Sequence, residues 1–140
     1  VLPKRRRGPP VIAEVAAALI QDSAGRYLIT QRREGTHLGG VWEFPGGKRH
    51  PGETLEACLR RELGEELGGS FTVGEKVETV RWEYPETTVV IHFFRCRLVA
   101  GHAEPLESQA LAWVAPEQLA DYAFPAADAR VVERLRSRTA

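Results

Sequence analysis

Apolar positions run from Val11 to Ile20 with only Glu14 interrupting them, a pattern that predicts a mostly buried strand. Asp22-Ser23-Ala24-Gly25 supplies turn residues, and Arg26 to Arg32 returns as a second strand, so the pair reads as a hairpin. Glu34 to Gly40 is a glycine-containing loop, and Trp42-Glu43-Phe44 reads as a short strand ending at Pro45-Gly46-Gly47.

Between Thr54 and Leu67 the period changes from two to four. Leu59, Leu63 and Leu67 form an apolar stripe, Thr54 can cap the start and Gly68-Gly69 can end the helix. Two longer strands follow, Phe71 to Tyr84 and Thr87 to Leu98, joined at Pro85-Glu86. A last short strand covers Leu111 to Val114, with a helical turn at Pro116 to Leu119. An amphipathic helix from Ala126 to Arg136 turns Val131, Val132 and Leu135 inward. The sum is a single α/β domain over residues 11–138, with a mixed sheet, one central helix and one C-terminal helix. Residues 1–10 are a basic, proline-rich tail.

Charge narrows the functions. Nineteen basic side chains meet nineteen acidic ones, which argues against a nucleic-acid coat and leaves room for a local site of either sign. Cys58 and Cys96 are too few for a disulfide scaffold and read as reduced, partly buried thiols. No apolar run approaches the length of a bilayer span. A cytoplasmic chain with neither a membrane nor a stable nucleic-acid partner is expected, either monomer or homodimer.

Glu62, Glu65 and Glu66 share one face of the central helix, where their charges crowd one another. A solvated face neutralised by Arg60 and Arg61 is the plain alternative. A hard divalent cation with oxygen ligands, magnesium above all, is the functional one. Two neighbours favour the cation: Gly46-Gly47, where backbone can approach a ligand closely, and Arg61, four residues before Glu65 and able to fix a glutamate's direction. Glu53 can favour the positive helix end or hold the loop in place.

Together, residues 47–69 resemble the Nudix box, Gly-x5-Glu-x7-Arg-Glu-U-x-Glu-Glu-x-Gly-U, where U is a bulky aliphatic residue. Its fixed positions are filled by Gly47, Glu53, Arg61, Glu62, Glu65, Glu66 and Gly68, and Leu63 supplies the first U. Chance would place these seven residues at a given position with a probability on the order of 10⁻⁹ to 10⁻⁸. Gly69 stands where the second U belongs, a departure expected to cost a packing contact at the helix end. Trp42-Glu43-Phe44-Pro45-Gly46-Gly47-Lys48 and Phe124-Pro125-Ala126-Ala127-Asp128 extend the resemblance from about Val11 to Leu135, closest to the MutT-like branch.

That resemblance implies a Nudix α/β/α sandwich and hydrolysis of nucleoside triphosphates to monophosphate and pyrophosphate, with oxidised or modified nucleotides among the substrates. It implies magnesium, with manganese as a substitute, held by Glu62, Glu65, Glu66 and the Gly46 carbonyl. Glu62, Glu65 and Glu107 are the candidates for accepting the proton of the attacking water, and Arg61 belongs to the catalytic set. Arg32 and His37 match substrate-facing positions, Arg32 with a planar fork suited to phosphate, and Lys48 beside the glycines is a further phosphate contact. Asp128 is the candidate base reader: ionised, it accepts from N–H groups such as guanine N1–H and N2–H₂ or the cytosine amino group. Trp82, Tyr122 and Phe124 are candidates for stacking on the base.

Three alternatives stay open: a CTP or methylated-dCTP pyrophosphohydrolase, an enzyme for another nucleoside-diphosphate-linked substrate, and a non-enzymatic lesion-sensing module such as the MutT-like domain of adenine DNA glycosylases. The intact acidic set favours catalysis. A P-loop reading fails because Arg49 follows Gly47-Lys48 and the upstream glycine spacing is missing.

Overall fold

The computed structural model describes residues 11–137, so the expected N-terminal tail lies outside the described residues. Among the described residues, seven strands make two sheets. Strands β1 (Val11–Ile20), β4 (Gly46–Lys48), β5 (Ser70–Glu83) and β6 (Thr87–Ala100) form one in the order β4-β1-β6-β5. Strands β2 (Tyr27–Gln31), β3 (Trp42–Glu43) and β7 (Ala110–Val114) form the other in the order β3-β2-β7. The first sheet is mixed, because β1 runs parallel to β6 while β4 and β5 are antiparallel to their neighbours.

The near-continuous apolar run of β1 follows from burial on both faces. Ala16, Ala18 and Ile20 meet Cys58, Leu59, Leu63 and Leu67 of helix α1 (Leu55–Leu67). Ala17 and Leu19 face the opposite way, toward Phe93, Leu119 and the Val131, Val132 and Leu135 stripe of helix α2 (Ala129–Ser137). One strand thus serves two cores and fixes α1 against the sheet. The Thr54 hydroxyl accepts the Ala57 N–H at 3.0 Å and caps α1 as its sequence position predicts.

Three local expectations are corrected. β1 and β2 do not form a hairpin ladder: only the Gln21–Tyr27 bridge joins them, and β2 crosses into the second sheet to pair with β3 and β7. Gly46-Gly47 does not simply end a strand but lies in β4, paired with Ala16 and Ala17. The C-terminal helix is preceded by a tight 3-10 turn at Ala126–Asp128, and α2 proper starts at Ala129. Both cysteines are free and buried.

Gly69 has a positive requirement. Its φ is +71°, a conformation side chains with a Cβ disfavour, and a Cβ there would lie 3.0 Å from Leu98 Cδ1. A side chain there would press on Leu98 and on the His102 and Ala100 carbonyls, so the glycine relieves crowding at the helix end. The same bend lets the Glu104 and Leu106 N–H groups donate to the Leu67 and Glu66 carbonyls, which pairs the end of α1 and brings the following loop beside it.

Candidate active site

β4 and α1 build the acidic end of the site. Where β4 crosses β1, a Cβ on Gly46 would overlap the Ala16 carbonyl, and a Cβ on Gly47 would occupy the place of the Glu62 carboxylate. The two glycines therefore let backbone and carboxylate pack directly together. The Gly46 N–H donates to Glu66 Oε2 at 3.1 Å.

Arg61 organises the helix face. Its Nε and Nη2 donate to the two oxygens of Glu53 at 2.7 and 3.0 Å. Nη1 reaches Glu62 at 3.1 Å and Glu65 at 2.9 Å, and Nη2 also holds the Lys48 carbonyl at 3.2 Å. The two bonds from Arg61 to Glu53, with a further one from the His50 N–H, hold the Glu53 carboxyl down at about 2. Glu53 thus anchors the loop to Arg61, and its helix-end position is secondary.

A cavity of about 380 Å³ opens over this face. Glu62, Glu66, Gly46, Gly47, Lys48, Glu107, Arg32, Glu43 and Asp128 are among the residues that line it. Four of its carboxyls carry raised pKa values, each first because burial penalises the charge. Glu66 is pushed up to about 9, with Glu62 and then Glu43 adding repulsion. Asp128 is pushed up to about 7, with Glu43 adding to the effect. Glu62 and Glu43 also move up, opposed by Arg61 and Arg32 respectively.

Arg61 and Arg32 offset Glu62 and Glu43, but burial still raises all four acids, and the ligand atoms they offer are hard oxygens. Among the described residues no ready-made cage of three or more Asp, Glu, His or Cys side chains exists. A magnesium ion that keeps several waters and shares substrate phosphates needs only one or two carboxylates. Glu62 and Glu66, beside the Gly46–Gly47 backbone, fit that demand.

The other sequence candidates divide. Arg32 lines the cavity, donating from Nη1 to Glu43 at 3.2 Å and from Nε to the His37 carbonyl at 2.8 Å. His37 lies instead on a second, adjoining cavity of about 780 Å³, which shares Arg32, Leu38, Glu43, Lys48, Tyr84 and Pro125 with the first. Glu65 lines neither cavity and turns its carboxylate to Arg61. Phe124 stacks on Phe44 with centroids 5.1 Å apart, Tyr122 meets Trp42 edge-on, and neither they nor exposed Trp82 line either cavity.

Sequence reasoning assigned no role to Glu43, Leu38 or Tyr84, all of which line both cavities. Glu43 carried a usable signal. Strand alternation sets it on the face opposite Trp42 and Phe44, away from the aromatic core.

Residues 16–134 match the NUDIX domain family. The chain belongs to the Nudix family. It is 37% identical over 128 residues to the 8-oxo-dGTP diphosphatase of Haemophilus influenzae, covering 91% of this chain and 94% of that one. It is 38% identical over 120 residues to the CTP pyrophosphohydrolase of Escherichia coli, covering 86% and 88%. The solution structure of the E. coli ORF135 protein superposes with a TM-score of 0.81 at 36% identity, covering 95% of this chain and 99% of that one. The α/β fold with its mixed sheet is therefore the Nudix fold, and the chain is a hydrolase of phosphoric anhydride bonds in a family that generally uses a divalent metal. Among the described residues no helix is long and apolar enough to cross a membrane.

Proposed function

We propose that this Nudix hydrolase cleaves nucleoside triphosphates to the monophosphate and pyrophosphate with magnesium, and that oxidised or otherwise modified nucleotides are among its substrates. One observation carries the reading: the paired acids Glu62 and Glu66, the base-reading candidate Asp128 and the cationic Lys48 and Arg32 line a single cavity.

Glu62, Glu66 and the Gly46 carbonyl would hold the cation, and Glu65 would have to turn away from Arg61 to join them. Bound magnesium supplies charge neutralisation on the phosphates and a more acidic water. Arg61 keeps Glu53, Glu62 and Glu65 in fixed directions, so the carboxylates need little reorganisation when phosphate arrives. Lys48 and Arg32 bind phosphate oxygens, Arg32 through the planar fork that Glu43 and the His37 carbonyl hold in place. Glu62 and Glu107 are the cavity carboxylates that can take the proton of the attacking water.

Asp128 selects the base. Ionised, it accepts from an exocyclic amino or ring N–H; protonated, which its value of about 7 permits below neutrality, it donates to a carbonyl. A CTP-directed enzyme is the second reading, favoured by that acceptor, by the cytosine amino group it suits, and by similarity to the E. coli CTP pyrophosphohydrolase.

The test is a product-resolved screen of CTP, dGTP, 8-oxo-dGTP and 5-methyl-dCTP with and without magnesium. Magnesium-dependent release of monophosphate and pyrophosphate is expected. Orthophosphate as the first product would refute the cleavage position. Nucleotide binding without turnover across the panel would favour a binding module.

A further inference from the structure

Leu38 is the only non-glycine residue with positive φ among the described residues, at φ 55°. A leucine held there is strained, and such strain gathers at sites whose geometry serves a ligand. The adjacent glycines Gly35 and Gly40 adopt φ of 82° and 86° without that penalty. The loop is not loose: the Gly39 N–H donates to the Thr36 carbonyl at 3.0 Å, the Val41 N–H to the Leu38 carbonyl at 3.2 Å, and Arg32 Nε to the His37 carbonyl at 2.8 Å. The side chain belongs to neither buried core cluster and is 41% exposed, yet it lines both cavities. Packing therefore does not account for an apolar group in a strained position.

Tyr84, at the β5–β6 turn, is also 41% exposed and lines the same two cavities. Two apolar groups from separate elements, flanked by Arg32 and Lys48, suit a ligand with a flat apolar body and an anionic tail.

We infer that Leu38 is a substrate-contact residue that covers the nucleoside of a bound nucleotide, its strained backbone presenting the side chain to the cavity mouth. The inference rests on the nucleotide reading above. Contact with the nucleoside persists in the ground and transition states alike, so its loss raises KM and leaves kcat unchanged. Covering the part of the leucine now open to solvent corresponds to about a 5-fold change in affinity.

The test compares wild type, Leu38→Asn and Leu38→Met. KM and kcat are measured with CTP and 8-oxo-dGTP in magnesium, and melting temperature without nucleotide. Asparagine adopts positive φ readily but offers no apolar cover. For Leu38→Asn, KM should rise about 5-fold with kcat within about twofold, and Tm should be equal or higher. Leu38→Met should keep KM near the wild-type value. An unchanged KM in Leu38→Asn, or a lowered Tm, overturns the inference while the nucleotide reading stands. Wild-type protein that turns over neither nucleotide overturns both.

Discussion

Asp128 offers a quantitative test of the electrostatics inside the cavity. Burial, with repulsion from Glu43, moves its carboxyl from 3.8 to about 7. The folded state therefore binds this proton more tightly than the unfolded chain. Stability from this residue is fully present below the unfolded value and is lost as pH rises toward the folded one. The loss accumulates between about pH 4 and pH 7 and then levels off. At 1.4 kcal/mol per tenfold change in proton affinity, its ceiling is about 4 kcal/mol. An asparagine side chain has nearly the same shape and no charge to bury. The substitution Asp128→Asn should leave stability within about 1 kcal/mol of wild type at pH 4 and raise it by up to about 4 kcal/mol at pH 8. For a domain of this size that gain is a rise in Tm on the order of 10 °C. Urea titrations of both proteins in EDTA, every half unit from pH 4 to pH 8.5, read the difference directly. A gap independent of pH, or one that widens toward acid, would refute the buried-charge account.

Two further substitutions probe other parts of the structure. Arg61→Lys keeps the charge but cannot hold Glu53 through two donors while reaching Glu62 and Glu65, so kcat should fall by about 10- to 100-fold with a smaller change in KM. Steady-state kinetics in saturating magnesium would show it, and wild-type kcat would mean the hub does not matter. Gly69→Val restores the aliphatic residue of the family pattern yet forces a β-branched side chain to φ +71° against Leu98, so it should cost about 1–2 kcal/mol in urea unfolding. A stabilised variant would contradict the conformational explanation.

Legibility followed the range of the interactions. Thr54 as cap and the Leu59-Leu63-Leu67 stripe were readable because helix periodicity and capping are local. The glutamates were readable because helix spacing fixes which side chains share a face, and Arg61 because four residues separate it from Glu65. The partition of β1 and β2 was not. A turn sequence between two strands signals a hairpin, whereas β2 leaves for β7, more than eighty residues on, because its apolar side chains complete both cores. β4 was hidden because glycines normally mark a turn, and here they serve the close approach of Ala16 and Glu62. Phe124 looked available to a base, but Phe44 provides it with a stacking partner in the core. Leu38 and Tyr84 are far apart in sequence, so nothing short of the fold brings them to one opening.

On the proposed function the buried acids bind a cation and do not hold the fold together. Glu66→Gln tests it most directly, with kcat and unfolding stability measured on the same preparation. Glu66 is pushed up to about 9 by burial and by Glu62, so folding at pH 8 must take up a proton there, a cost the amide lacks, while the substitution deletes an oxygen proposed to bind the metal. Magnesium-dependent turnover should fall by more than about 100-fold, with melting temperature equal to or above wild type at pH 8 in EDTA. Near-normal turnover, or lost turnover accompanied by an unfolded protein, would contradict it.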